Sequence, residues 1–392
     1  MTWSEALAWL YSTQQFGIKL GLENTRRLLE AAGHPERACR FLHVAGTNGK
    51  GSVCAMLDSM LRAAGHRTGL YTSPHLVDFR ERIRVNGEML PEAAGARILT
   101  ELRAATRDWA HAPTFFELAT VLAIRHFADA KTDFVVLETG MGGRLDSTNA
   151  VAPLVSILTP IAMDHAQWLG DTIEEIAAEK AGILKPRIPA VSAPQDAAAA
   201  AVLEKRAIEV GAPFRFVSGI VEMPVNLRGR HQQQNAALAI SALRIAGISL
   251  PEQAIHSGLA NVHWPGRFQE IDRIVLDGAH NPHGSAQLVK TWREMFGSER
   301  AIVIFGALRD KDSSGMLAAL APVAESFWLV PLESARADAP SHLAEKCPYP
   351  HRVFASLAEA VAASRGEALR VLVTGSLFLV GEALEILDAA QA

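Results

Sequence analysis

Cysteine is scarce: Cys39, Cys54 and Cys347 are the only three in 392 residues, widely separated and without CxxC spacing. An odd, scattered set excludes a disulfide framework and offers no zinc pattern, so the three read as packing residues. Long apolar runs are also missing, and nothing approaches the ~18 uninterrupted apolar residues of a membrane span. The start, Met1-Thr2-Trp3-Ser4-Glu5, lacks the basic region and apolar core of a secretory signal. The expectation is a cytoplasmic protein with no membrane partner. Positive charge is not in excess either. A net charge of −4 without a long basic run argues against nucleic acid as the main partner, so any anionic ligand must meet local positive contacts. What is present, 49% hydrophobic and 20% charged residues, is the composition of a soluble globular enzyme long enough for two domains.

The most informative stretch is His43-Val-Ala-Gly-Thr-Asn-Gly-Lys-Gly-Ser52. Phe41 to Ala45 reads as a short buried strand, and from Ser52 the apolar residues Val53, Met56, Leu57, Met60, Leu61 and Ala64 recur at helical spacing. Gly46, Gly49 and Gly51 allow N–H groups to turn inward, and the helix N-terminus adds unpaired donors with a positive dipole end. Lys50 would neutralise β- and γ-phosphate charge, and a hydroxyl from Thr47 or Ser52 could meet phosphate or Mg²⁺. The usual phosphate loop has Gly six positions before Lys and Ser/Thr directly after it, where this chain has Val44 and Gly51, so the loop is a variant. A ligand-free glycine turn is the bland alternative.

Apolar segments at 41–45, 69–72, 134–138 and 154–159 alternate with helical stretches such as 115–128, the pattern of a helix-covered parallel sheet. A second series follows Trp264-Pro265-Gly266-Arg267, with strands at 273–276, 301–305, 326–330 and 370–373; each but the third precedes an evident helix. The expected fold is α/β: a P-loop N-terminal domain with a mostly parallel sheet (1–266) and a smaller Rossmann-like C-terminal domain (267–392). Ligands of open α/β sheets sit beyond the carboxyl ends of strands. Those ends carry the phosphate loop, Thr72-Ser73-Pro74-His75, Glu138-Thr139-Gly140 and Asp164-His165. Ser73, Glu138 and His165 together suit Mg²⁺ completed by phosphate and water; each alone reads more readily as a structural hydrogen-bonding residue, and it is their shared location that favours the metal.

Thr172 with Glu175 makes a capping box, and Gly182 and Pro186 stop the helix. Lys180 falls seven, four and three residues after Ile173, Ile176 and Ala177, so it is directed inward. Desolvation depresses a lysine pKa. Lys180 could act as a base, bind phosphate, or take up CO₂ to become a carbamate; a snorkelling lysine is the alternative. Arg80, Arg82 and Arg84 alternate at period two, so a strand face would present three guanidiniums to a carboxylate-rich ligand or to solvent. Residues 140–149 form a glycine-rich loop placed to border a substrate. Asp277-Gly-Ala-His-Asn-Pro282 follows a strand and opens a helix facing the same cleft.

Together these segments, with Tyr71–Leu76, Phe79–Gly87, Leu137–Asn149, Met163–His165, Glu179–Ile183, Trp264–Arg267, Gly306–Asp312 and Val373–Ser376, resemble the folylpolyglutamate synthase/dihydrofolate synthase family, itself related to the Mur ligases. The resemblance implies ATP-dependent ligation of L-glutamate to dihydropteroate, to tetrahydrofolyl-(poly)glutamate, or to both, through an acyl phosphate. It implies ATP contacts from Gly46, Thr47, Asn48, Gly49, Lys50, Gly51, Ser52, Asn235, Arg267 and Asp277. Ser73, Glu138 and His165 would ligate Mg²⁺, with Lys180 as the family's carbamylated lysine supporting a second metal; K⁺ is a further candidate. Catalysis would fall to Lys50, His165 and Lys180. Arg82, Thr114, Phe115, Phe116, Glu117, Leu145, Asp146, Ser147 and His280 would meet the substrate. A monomer is expected, with small molecules as its only partners. The alternatives are another Mur-type amide ligase, a folylpolyglutamate synthase lacking the dihydrofolate activity, or a nucleotide-binding regulator with a dead site. The short stretch before residue 43 disfavours the Mur ligases, which carry a nucleotide-sugar domain there, and the full set of site residues disfavours the dead site.

Overall fold

The computed structural model describes residues 1–16 and 21–389. Two sheets organise it. The first holds β1 (Phe41–Ala45), β2 (Thr68–Tyr71), β3 (Ile83–Val85), β4 (Glu88–Met89), β5 (Phe134–Glu138), β6 (Pro153–Leu158), β7 (Ala190–Ser192) and β8 (Phe214–Phe216), in the order β4-β3-β2-β5-β1-β6-β7-β8. The strands from β2 to β8 in that order run parallel, and β3 and β4 add an antiparallel edge.

The second sheet holds β9 (Gln269–Ile271), β10 (Ile274–Leu276), β11 (Ala301–Phe305), β12 (Ala324–Leu329), β13 (His351–Val353) and β14 (Arg370–Thr374), ordered β13-β12-β11-β14-β10-β9. Only β9 is antiparallel to its neighbour. The strands expected from the sequence appear with ends shifted by at most two residues, and a short helix, Pro340–Glu345, follows the third strand of the second series. The Ala-rich stretch after Asp196 is the helix Ala197–Val210.

Alternation along the central strands explains why the sheet is covered on both faces. Leu42 and Val44 pack with Val53, Met56, Leu57 and Met60 of the helix Lys50–Ala63, while Phe41 packs on the opposite side with Val135, Leu137 and the helix Phe115–Asp129. These side chains are nearly fully buried. At about 1.5–3 kcal/mol for each large aliphatic side chain removed from water, the two layers fix β1 firmly in the middle. The chain leaves β1 for β2 and β5 on one flank and returns to β6 on the other, so direction reverses about β1. The crevice beyond its carboxyl end is where such a fold admits a ligand. Among the described residues no helix is long and apolar enough to cross a membrane.

Candidate active site

The phosphate loop fills that crevice. Gly46 (φ +147°) lies against the Thr159 side chain, and Gly49 (φ +88°) has only 3.1 Å between an added Cβ and the Asn235 amide, so neither position has room for a side chain. The helix begins at Lys50, leaving the amides of Lys50, Gly51 and Ser52 without intrahelical partners and aimed beyond the strand end. Other groups of the loop are committed elsewhere. Thr47 and Asn48 donate their backbone N–H groups to the Pro160 carbonyl. The Thr47 hydroxyl donates to Ala162 O and accepts from Ala162 N, both at 3.1 Å, so of the two hydroxyls considered for a ligand only Ser52 stays available. Ser52 Oγ accepts from Gln232 at 3.3 Å, and Gln232 also holds Asn235.

Lys180 is buried, as its helical spacing predicts, and its capping box is present. Its ammonium donates to Gly46 O at 2.9 Å, so it lies beneath the phosphate loop rather than on the cleft wall. Burial first, and then the charge of Lys50, push its pKa down to about 7. Glu138 pairs in register with Val44, which brings its buried carboxylate beside the loop, where it accepts the Ser73 N–H at 3.1 Å. Desolvation raises its pKa against the pull of Lys50. His165, in left-handed conformation (φ +53°), is driven down to about 4 by burial and the nearby Lys311. Among the described residues no three His, Cys, Asp or Glu side chains form a cage for a metal. Ser73, Glu138 and His165 therefore fit a cation only when phosphate oxygens and water complete its shell.

The second sheet reaches into the same space. Asn48 donates to Asn281 (3.2 Å) and to His283 (2.9 Å), and Asn281 donates back to Asn48 (3.0 Å) and to Asp164 (3.1 Å). Asp164 also pairs with Lys311 and His280. Burial pushes its carboxyl up, but the His280 hydrogen bond and the Lys311 charge hold it well below the usual range. Asp277 accepts the N–H groups of Phe268 and Ala279, both at 2.9 Å; desolvation raises its pKa and Arg267 opposes the rise.

A cleft of about 1360 Å³ joins these parts. Of the residues expected from the sequence, all but Gly46, Glu117 and Lys180 line it. The arginine stripe does not form. Phe79–Arg82 is a 3₁₀ turn capped by Asp78 and Glu81, so only Arg84 lies on a strand. Arg80 pairs with Asp78 and Glu92, while Arg82 is buried, donates to His75 at 2.7 Å and stands over the Phe115 ring at 5.3 Å. Thr114 and Glu117 are mutual caps of the helix Phe115–Asp129, and Glu117 also accepts from Asn24, so its carboxylate serves the helix rather than the cleft. Sequence reasoning assigned no role to Lys311, Asn281 or His283. The strand-end rule was the available signal for Lys311, since it lies in the loop after β11.

Fold and cleft together define a P-loop α/β enzyme whose nucleotide loop and second sheet share one site. The model of the Mur ligase middle domain matches residues 44–190, and that of the Mur ligase glutamate ligase domain matches residues 266–377. The chain is 35% identical to the dihydrofolate synthase/folylpolyglutamate synthase of Bacillus subtilis, over 97% of this chain and 98% of that one. It is 37% identical to the protein of the same name from Escherichia coli, over 98% and 95%. The solved E. coli FolC in complex with DHPP and ADP superposes with a TM-score of 0.91 at 35% identity, covering 99% and 98% of the two chains. The Yersinia pestis bifunctional enzyme complexed with AMPPNP and a Mn ion gives 0.90 at 32%, covering 99% and 98%. The chain belongs to the folylpolyglutamate synthase/dihydrofolate synthase family.

Proposed function

We propose that this chain is an ATP-dependent ligase that joins L-glutamate both to dihydropteroate and to tetrahydrofolyl-(poly)glutamate, releasing ADP and phosphate. The observation that carries the reading is the single cleft shared by a phosphate loop, a buried arginine among aromatic rings, and the strand ends of the second sheet. A carboxylate does not accept an amine directly. Transfer of the γ-phosphoryl group to it makes an acyl phosphate, with Lys50 and the helix N-terminus offsetting charge on the phosphoryl oxygens. The glutamate amine then attacks the acyl carbon, the C–O bond to phosphate breaks, and an amide remains.

Arg82 is suited to an anionic part of the acceptor, because it is buried and has no ion pair among the described residues. Phe115 and Phe116 offer flat apolar surface beside it, with Thr114, Leu145, Asp146 and Ser147 bordering the same wall. Asn235, Arg267 and Asp277 would contact ATP, and His280 the incoming glutamate. Ser73, Glu138 and His165 would hold Mg²⁺, which would offset phosphate charge. Lys180, with a pKa near 7, is partly neutral at physiological pH and so able to react with CO₂; an N–C bond forms, a proton leaves, and the resulting carbamate would support a second Mg²⁺. K⁺ is a third candidate ion. The family model edge at residue 266 supports two domains, 1–266 and 267–392, hinged at Trp264–Arg267. Their closure would keep water from the acyl phosphate. A monomer in the cytoplasm completes the reading.

The test is phosphate release with ATP, Mg²⁺ and glutamate, comparing dihydropteroate with tetrahydrofolate as acceptor and weighing the products by mass. Glutamate-dependent release with both acceptors is expected. Release with tetrahydrofolate alone would reduce the enzyme to chain extension, and no release with either would overturn the proposal.

A further inference from the structure

We propose that His43, Thr148 and Asp146 form a hydrogen-bonded positioning chain that holds the acceptor wall of the cleft in register with the phosphate-loop strand. The inference rests on the reading of that wall given above. His43 lies on β1, three residues before Gly46, and is completely buried. Its Nε2 is 2.8 Å from Thr148 Oγ1, and Thr148 Oγ1 is 2.5 Å from Asp146 Oδ1. Asp146 accepts three backbone N–H groups as well: Gly140 and Met141 at Oδ2, both 2.9 Å, and Thr148 at Oδ1, 3.0 Å.

The direction of the chain follows from counting protons. A carboxyl group that receives three N–H donors is served by its ionised, acceptor-only form, so the single Thr148 hydroxyl proton goes to Asp146. Thr148 Oγ1 must then accept, and His43 donates from Nε2–H. His43 Nδ1 has no partner, which costs less for a bare acceptor than for a buried N–H. Burial pushes His43 down to about 3, so it is neutral throughout the working range.

The chain ends on the loop that matters for the acceptor. Asp146 ties the start of the 140–149 loop to its end. Gly140 packs directly on the Phe116 ring, leaving no space for a side chain there, and Gly140, Met141, Leu145 and Ser147 line the cleft. With all four of its acceptor positions occupied by the chain itself, Asp146 acts as the fastener of this wall. A displacement of His43 on the nucleotide strand is transmitted to the acceptor wall through two short bonds.

Thr148→Val removes the hydroxyl and keeps the shape, while Thr148→Ser keeps the hydroxyl. Thr148→Val should raise KM for dihydropteroate about tenfold, leave KM for ATP within about twofold, and change kcat little. Thr148→Ser should recover at least half of the wild-type kcat/KM. Wild-type kinetics in Thr148→Val, or equal rises in both KM values, would overturn the proposal. Nitrogen NMR of ¹⁵N-histidine-labelled wild-type protein, with His43→Gln to assign the signal, reads the tautomer without any activity and without a folded Thr148→Val. A neutral Nε2–H imidazole is expected, and an Nδ1–H form would overturn the chain. If the wild-type enzyme does not turn over dihydropteroate at all, the functional reading fails, and the NMR result still decides whether the chain exists.

Discussion

Replacing Lys180 by methionine should make the protein more stable at pH 6 while abolishing most of its turnover. Lys180 is buried, and its pKa falls from 10.5 to about 7 in the fold. Between those values the unfolded chain binds the proton that the folded chain has lost, so stability rises with pH across that window. Below pH 7 the folded protein carries the full penalty, which at about 1.4 kcal/mol per unit over about 3.5 units approaches 5 kcal/mol. Methionine has no such penalty but forfeits the bond to Gly46 O, worth about 1 kcal/mol. The advantage of Lys180→Met should shrink by about 3 kcal/mol between pH 6 and pH 9, because two of the 3.5 units have been crossed by then. Urea unfolding of both proteins at the two pH values, in CO₂-free buffer and without ligands, measures this difference. A gap between variant and wild type that does not change with pH would refute the argument, as would a variant less stable than wild type at pH 6.

Lys50→Ala should lower phosphate release by about 10²–10³-fold, as expected when a charge-stabilising donor is removed, with the thermal midpoint nearly unchanged. Thr47→Val and Ser52→Ala should differ in their effect on nucleotide: the first should cost about 1–3 kcal/mol by unpairing Ala162, measured by urea unfolding, and the second should raise KM for ATP, with a stability cost of about 1–3 kcal/mol at most from unpairing the buried Gln232 amide. Asp164→Asn leaves Lys311 facing a neutral amide and should destabilise the protein by about 3–5 kcal/mol at pH 7. Because the Asp164 carboxyl is held below its usual range, the wild-type advantage should be full above about pH 4 and fade as pH falls further, in urea unfolding followed from pH 7 to well below that value.

One motif accounts for much of what was legible in the sequence and much of what was not. A Thr or Asp followed three residues later by Glu is a local signal, because the side chain and backbone groups it joins are neighbours along the chain. At Thr172 and Glu175 it marks the start of the helix on which the spacing from Ile173, Ile176 and Ala177 puts Lys180 on the buried face. The same box at Thr114 and Glu117 makes Glu117 a cap rather than a ligand, and at Asp78 and Glu81 it turns a supposed strand of arginines into a 3₁₀ turn that sends Arg82 inward and leaves Arg80 outside. The central strands were equally legible, since burial on both faces demands continuous apolar runs. Short strands such as β7 and the edge strand β8 carry too few residues for a period to show. The bonds from Asn48 to Asn281 and His283 were beyond reach for a different reason. They span more than 230 residues, and no local pattern records which two strand ends will meet.

Those long-range bonds also bear on how the site works. Successive residues of the phosphate loop are assigned to different bodies: Thr47 is fastened to the first sheet through Ala162, Asn48 to the second through Asn281 and His283, and the amides from Lys50 onward are left for a ligand. Each neutral bond contributes only about 0.5–1.5 kcal/mol net, so the Asn48 contacts hold the sheets together by a few kcal/mol at most. A ligand that binds the closed arrangement more tightly by that amount shifts the equilibrium, and one that binds both arrangements equally cannot. The Asp164–Lys311 pair is the stronger tie, being buried and charged, yet it joins the same two sheets within reach of His165. The same few polar side chains thus tie the two sheets and border the phosphate loop, so a ligand with unequal affinity for the two arrangements would shift the approach of the sheets.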